Sequence, residues 1–101
     1  MYKKILVPID GSKPADKALN HAINLVTSIS SNSNFTIRAE IFVSGNGISI
    51  PNTITEFAYK EKVDLIVVGS VGLSGISKVK VLGSVSRAIA EMASCPVLIV
   101  H

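Results

Sequence analysis

Two stretches of the chain are almost continuously apolar and rich in β-branched residues: Lys4 to Ile9 and Val63 to Val68. A short run that is apolar on both faces predicts a central strand of a parallel sheet. Phe35 to Val43 has a different pattern. Phe35, Ile37, Ala39, Ile41 and Val43 fall on one face and Thr36, Arg38 and Glu40 on the other, which predicts a half-buried strand at or near an edge. Pro96 to Val100 is a last short apolar strand. Helical periods separate these strands. Ala15, Ala18, Leu19, Ala22, Ile23, Val26 and Ile29 recur in three- and four-residue steps, after an N-cap at Ser12 and with Pro14 in the first turn. Thr53-Ile-Thr-Glu56 matches a capping box and predicts a short helix to about Lys62, after a loop over Ser44 to Asn52. Val85, Ala88, Ile89 and Met92 form the stripe of a helix over Ser84 to Ala93.

The resulting order, β-α-β-α-β, a glycine-rich loop, then α-β, predicts one α/β domain over residues 1–101 with a parallel sheet and right-handed crossovers. Ligands of such sheets bind outside the carboxyl ends of the strands, where the strand order reverses. If Lys4–Ile9 and Val63–Val68 are neighbours, Asp10 and the loop after Gly69 face each other across that crevice.

Composition narrows the chemistry. The chain is 48% hydrophobic but only 5% aromatic, which suits aliphatic packing and argues against stacking of nucleic-acid bases. The single cysteine, Cys95, excludes an intrachain disulfide and a multi-cysteine metal site, and a reduced, cytoplasmic setting is the simplest reading. The apolar run at the start is broken by Pro8 and closed by Asp10, too short for the core of a signal peptide, and no run reaches membrane-spanning length. The net charge of +3 has a definite location. Lys78, Lys80 and Arg87 lie between Leu65 and Ala90 with no acidic residue among them, while the rest of the chain is neutral. That excess is either a solvated face or a field directed at an anionic ligand.

The chemical interest centres on Gly69-Ser-Val-Gly72, ten further residues, then Gly83-Ser84. Gly69 lets the backbone leave its strand beside a ligand with no Cβ in the way, and Gly72 can turn N–H groups inward. Gly83, Ser84 and Val85 present N–H groups at a helix start, where an anion such as phosphate is favoured. The Ser84 hydroxyl either caps that helix or donates to a phosphate oxygen. Asp10, in Asp-Gly-Ser, is either turn chemistry or a carboxylate facing the crevice. His21, His101 and Cys95 fit surface or packing roles. No Ser/His/Asp or Cys/His set, P-loop or second carboxylate beside Asp10 makes a positive case for an enzyme. No catalytic or metal-ligating residues are assigned.

Three blocks resemble the universal stress protein family. They are Lys4-Ile-Leu-Val-Pro-Ile-Asp-Gly-Ser12, Asp64-Leu-Ile-Val-Val-Gly-Ser-Val-Gly-Leu-Ser-Gly75, and Leu82-Gly-Ser-Val-Ser86 with Cys95-Pro-Val-Leu-Ile-Val100. The resemblance implies a Rossmann-like open parallel sheet of four or five strands with flanking helices, and a cytoplasmic stress-response or regulatory role. One branch of the family binds ATP, with Mg as a further expectation, through a Gly-x2-Gly-x9-Gly-(Ser/Thr) pattern. By that resemblance Asp10 meets the ribose, and Pro8 and Ile9 lie along the nucleoside. Val68 touches the adenine and Gly69 the ribose, while Gly72, Gly83, Ser84 and Val85 hold the phosphates. A homodimer through Val97, Leu98, Ile99 and Val100 is also implied, and an apolar edge strand agrees with it. The chain departs from the pattern in its ten-residue spacer, in Val71 where a basic residue is common, and in length. It is shorter by one βα unit, ~30–40 residues, missing between Ile29 and Phe35, which places Phe35–Val43 beside Lys4–Ile9.

Two readings follow from the sequence. The first is a nucleotide-binding regulatory domain that binds rather than catalyses, with no nucleic-acid or membrane partner. The second is a nucleotide-independent dimerisation or partner-binding module of the same fold. A weak nucleotidase would need a general base, and Asp10 is the one candidate.

Overall fold

A computed structural model describes residues 3–9, 13–29, 36–42, 49–70 and 84–101. The elements are β1 (Lys4–Ile9), α1 (Lys13–Ile29), β2 (Thr36–Ile41), α2 (Ile50–Lys60), β3 (Leu65–Gly69), α3 (Ser84–Met92) and β4 (Val97–Val100). The strands form one parallel sheet in the order β2-β1-β3-β4. The two apolar runs are central neighbours, as their composition predicts, and the alternating strand lies at an edge beside β1.

Side chains alternate across the sheet and build two cores. Ile5 and Val7 of β1 and Leu65 and Val67 of β3 face α1, where Ala18 and Ala22 meet them. Leu6, Ile66 and Val68 face α2 and α3, packing on Ile54, Ala58 and Ile89. Small alanines on α1 let that helix lie close to the strands. Its stripe is rotated slightly from expectation, since Leu25 joins the core while Ile23 is exposed.

The β1–β2 ladder runs the length of β1, from Lys4–Thr36 to Ile9–Ile41. The β1–β3 ladder pairs only Ile5 with Leu65 and Leu6 with Ile66. Proline explains the difference. Thr36 N–H donates to the Lys3 carbonyl, and Asp64 N–H donates to the Lys4 carbonyl. By alternation, the backbone groups of Lys4, Leu6 and Pro8 face β3. The next ladder bond therefore needs an N–H that Pro8 lacks. A proline in a central strand is tolerated here because it sits at the carboxyl end.

α2 begins earlier than the capping box predicts. Ser49 is its N-cap, accepting from the Asn52 N–H at 3.3 Å, and Pro51 lies in the first turn. Proline is pre-organised there and its missing N–H is not needed. The Thr53 hydroxyl instead donates to the Ser49 carbonyl at 3.0 Å. At its other end Lys62 takes a left-handed conformation (φ 55°), and Val63 N–H returns to the Ala58 carbonyl, turning the chain into β3.

The amino ends of β1 and β3 are clamped by Asp64. One carboxylate oxygen accepts the N–H groups of both Lys3 and Lys4, each at 2.9 Å. These bonds, Lys4 first and then Lys3, hold the carboxyl below its ordinary pKa. A depressed carboxyl stabilises the fold above the unfolded-state pKa and loses that contribution as pH falls through the folded-state value. Asp64→Asn is therefore expected to lower stability at neutral pH and to flatten the acid limb of a denaturation-versus-pH profile below about pH 4. An unchanged acid limb would show that the clamp contributes nothing.

Candidate functional site

The site is built where β1 and β3 part. Beyond Leu6 and Ile66 the two strands carry no further ladder pairing, and their carboxyl ends are Ile9 and Gly69. This is also where the strand order reverses. The chain steps from β1 outward to β2, then crosses back over β1 to β3. A crevice at such a reversal is the binding position of open α/β sheets.

One wall is β3 and the start of α3. Val68 is buried in the core under α2 and α3, and Gly69 follows it, half-buried and without a Cβ. The Gly69 position remains paired with Val100 of β4, and the N–H of the buried Ser70 donates to the Val100 carbonyl at 2.8 Å. The exit of β3 is thus held in the sheet. The Ser86 hydroxyl, buried in the first turn of α3, donates to the Gly69 carbonyl at 2.5 Å. That bond fixes the amino end of α3 against the end of β3. The first N–H groups of a helix have no partner within it, and they carry the positive end of its dipole. Val85 secures the same turn by packing on the core.

The other wall is the end of β1. Pro8 is buried and Ile9 half-buried, the latter packed towards α1. Of the residues that the sequence assigns to the site, Pro8, Ile9, Val68, Gly69 and Val85 are thereby brought to one end of the two central strands. Ser84 begins α3, so its backbone lies at the same end. Asp10, Gly72 and Gly83 lie outside the described residues, as do Val71, Lys78 and Lys80. Arg87 is exposed on α3.

Sequence reasoning missed Ser86. Its spacing places it two residues beyond the glycine-serine start, and a serine near a helix start reads as ordinary first-turn composition. The signal available was its place opposite a strand-ending glycine, which only the fold can supply.

The remaining candidates sit elsewhere. His21 is exposed on α1 and His101 is exposed at the end of the chain. Cys95 is half-buried against the core, where burial raises its thiol pKa and keeps it protonated at neutral pH. Among the described residues, no three His, Cys, Asp or Glu side chains form a group that could hold a metal. A separate open groove of about 490 Å³ between α2 and α3 is lined by Asn52, Thr55, Glu56, Tyr59, Met92 and Ser94. Its one charged side chain, Glu56, is paired with Lys60 at 3.3 Å.

The model of the universal stress protein family matches residues 1–33 and 43–101. The chain belongs to the universal stress protein family. YxiE, a universal stress protein of Bacillus subtilis, is 32% identical over 149 residues, with all of both chains covered. Among solved structures, the universal stress protein UspA from Lactobacillus plantarum superposes with a TM-score of 0.71 at 19% identity, covering 99% of this chain and 98% of that one. A universal stress protein in complex with cAMP gives a TM-score of 0.66 at 24% identity, covering 99% of this chain and 97% of that one. The universal stress fold therefore places the crevice of this chain at the switch point of a Rossmann-like sheet. The family match leaves out residues 34–42, the stretch that holds β2.

Ser86→Ala removes the tie between α3 and β3. It is expected to cost about 1–2 kcal/mol, because the Gly69 carbonyl loses a buried donor. Denaturant unfolding at unchanged m-value is the measurement, and Ser86→Thr should recover most of the loss. No change in either variant would contradict the assigned bond.

Proposed function

We propose that this chain is a cytoplasmic nucleotide-binding domain with a regulatory role in stress, with ATP as the nucleotide, and that it binds rather than catalyses. One observation carries the reading: the start of α3 is tied through Ser86 to the end of β3, at the switch point of the sheet. The first-turn N–H groups of a helix, its dipole and a strand-ending glycine meet there, a combination that favours a phosphate group. The solved universal stress protein in complex with cAMP supports a nucleotide as ligand in this fold.

The residues present fit such a ligand. Gly69 has no Cβ to obstruct close approach, and the backbone of Ser84 and Val85 supplies donors in the helix first turn. The half-buried Ile9 offers apolar surface for a nucleoside, with Pro8 and Val68 buried behind it. Asp10 would meet the ribose, and Gly72 and Gly83 would complete the phosphate cradle, with Mg as counter-ion where the nucleotide carries several phosphates. Binding here neutralises phosphate charge by backbone dipoles, and no reacting group is required of the protein.

The second reading, a nucleotide-independent pairing module, draws on the open edge at β4 and on the shortening of the chain. A chain of 101 residues aligning over 149 residues with YxiE supports the loss of a βα unit. In that reading Val97, Leu98, Ile99 and Val100 pair with a second copy. All four are half-buried in the isolated chain and form a sheet edge.

Calorimetric titration with ATP separates the two. Wild type is expected to release heat on binding, and Gly83→Asp, which puts a carboxylate at the phosphate position, is expected to bind at least about tenfold more weakly, a difference near 1.4 kcal/mol. Absence of heat for wild type would favour the second reading. Equal binding by both proteins would move the ligand to another site.

A further inference from the structure

The outer edge of β2 carries a self-complementary pattern. Its sequence with the next residue is Thr36-Ile-Arg-Ala-Glu-Ile-Phe42, centred on Ala39. Because Thr36 N–H donates to the Lys3 carbonyl, the backbone groups of Thr36, Arg38 and Glu40 face β1. Those of Ile37, Ala39 and Ile41 point away from the sheet, where no strand lies beside them among the described residues. Ala39 is exposed and Ile41 is 70% exposed, so the apolar face of this strand is left largely uncovered beyond Ile37.

We infer that β2 is a self-pairing edge, joining two copies of this chain antiparallel through residues 37–41 about a two-fold axis at Ala39. Three independent features agree on this arrangement. In an antiparallel pair, residues that exchange both backbone bonds must point their groups at the partner. Ile37, Ala39 and Ile41 do so, and the two-fold places Ala39 opposite Ala39 and Ile37 opposite Ile41. The exposed Ile41 then gains an apolar neighbour on its own face of the sheet. On the opposite face Arg38 of each copy stands across from Glu40 of the other.

The charges also select the orientation. A parallel in-register pair would set Arg38 against Arg38 and Glu40 against Glu40, and like charges directly opposite are destabilising. Within one copy Arg38 already reaches Glu40 at 2.8 Å and Glu61 at 3.2 Å, and stacks over the Phe57 ring at 5.2 Å from its centroid. Pairing extends that cluster into a two-by-two block of alternating charges across the two β2 strands. The partner is a second copy because the edge reads the same from both ends, as a closed two-fold interface requires.

Sedimentation across a concentration series, with charge reversals, tests the inference. Wild type is expected to associate. Arg38→Glu sets acidic side chains opposite each other and should weaken association about tenfold. The double exchange Arg38→Glu with Glu40→Arg restores the complementary pattern and should restore the association. If β4 edges also pair, wild type forms assemblies longer than a dimer, and the same single variant shortens them. A variant-free measurement guards against unfolding of Arg38→Glu: in wild type, the amides of Ile37, Ala39 and Ile41 should become protected from hydrogen exchange as concentration rises. A monomer at all concentrations, or association with those three amides unprotected, would overturn the inference.

Discussion

The short ladder between β1 and β3 is the constraint from which the rest of the structure follows. These two strands are buried on both faces, and their side chains divide the molecule into an α1 core and an α2–α3 core. Asp64 closes the amino ends by accepting two N–H groups from β1 and the residue before it. Pro8 opens the carboxyl ends by withholding the N–H on which the next bond depends. One end of the central pair is thus fastened and the other released. The released end is where the chain order reverses and where α3 begins.

The released end is kept in shape from outside the ladder. β4 holds Gly69 and Ser70 on one side, and the Ser86 hydroxyl anchors the Gly69 carbonyl to α3. Strand exit and helix start therefore share one small hydrogen-bonded unit. Under the proposed reading, this unit would hold the first turn of α3 in place for an anion, which lowers the entropic cost of binding. At the far side of the sheet, Arg38, Phe57 and Phe42 bind β2 to α2. The Phe42 and Phe57 rings meet edge-to-face at 5.3 Å, while Arg38 lies over Phe57.

Much of this was legible in the sequence because hydrophobic pattern reports burial directly. The continuous runs of β1 and β3 marked the central pair, and the alternation of β2 marked an edge. The family resemblance, carried by Asp10-Gly-Ser12 and the Gly69 and Gly83 blocks, agreed with the family match. Features that depend on backbone direction were hidden. Pro8 could be placed near a strand end, but which neighbour its missing N–H affects depends on the register. Ser49 is hidden as a cap because Thr53 and Glu56 form a more familiar pattern beginning four residues further on. Alternation assigned Ala39 and Ile41 to a covered face, whereas α1 covers only Ile37 of that face in β2. Asp64 read as the start of a buried strand and proved to be a clamp for two chain segments.

The proposed nucleotide sits where β1 and β3 part, against the start of α3. Amide shift mapping by NMR during titration with ATP addresses that position most directly. The account predicts that the amides of Ile9, Gly69, Ser70 and Val85 move together, while Val63, Asp64 and Leu65 at the fastened end stay still. Shifts confined to the groove of Asn52, Thr55, Tyr59 and Met92, or none at all, would contradict it.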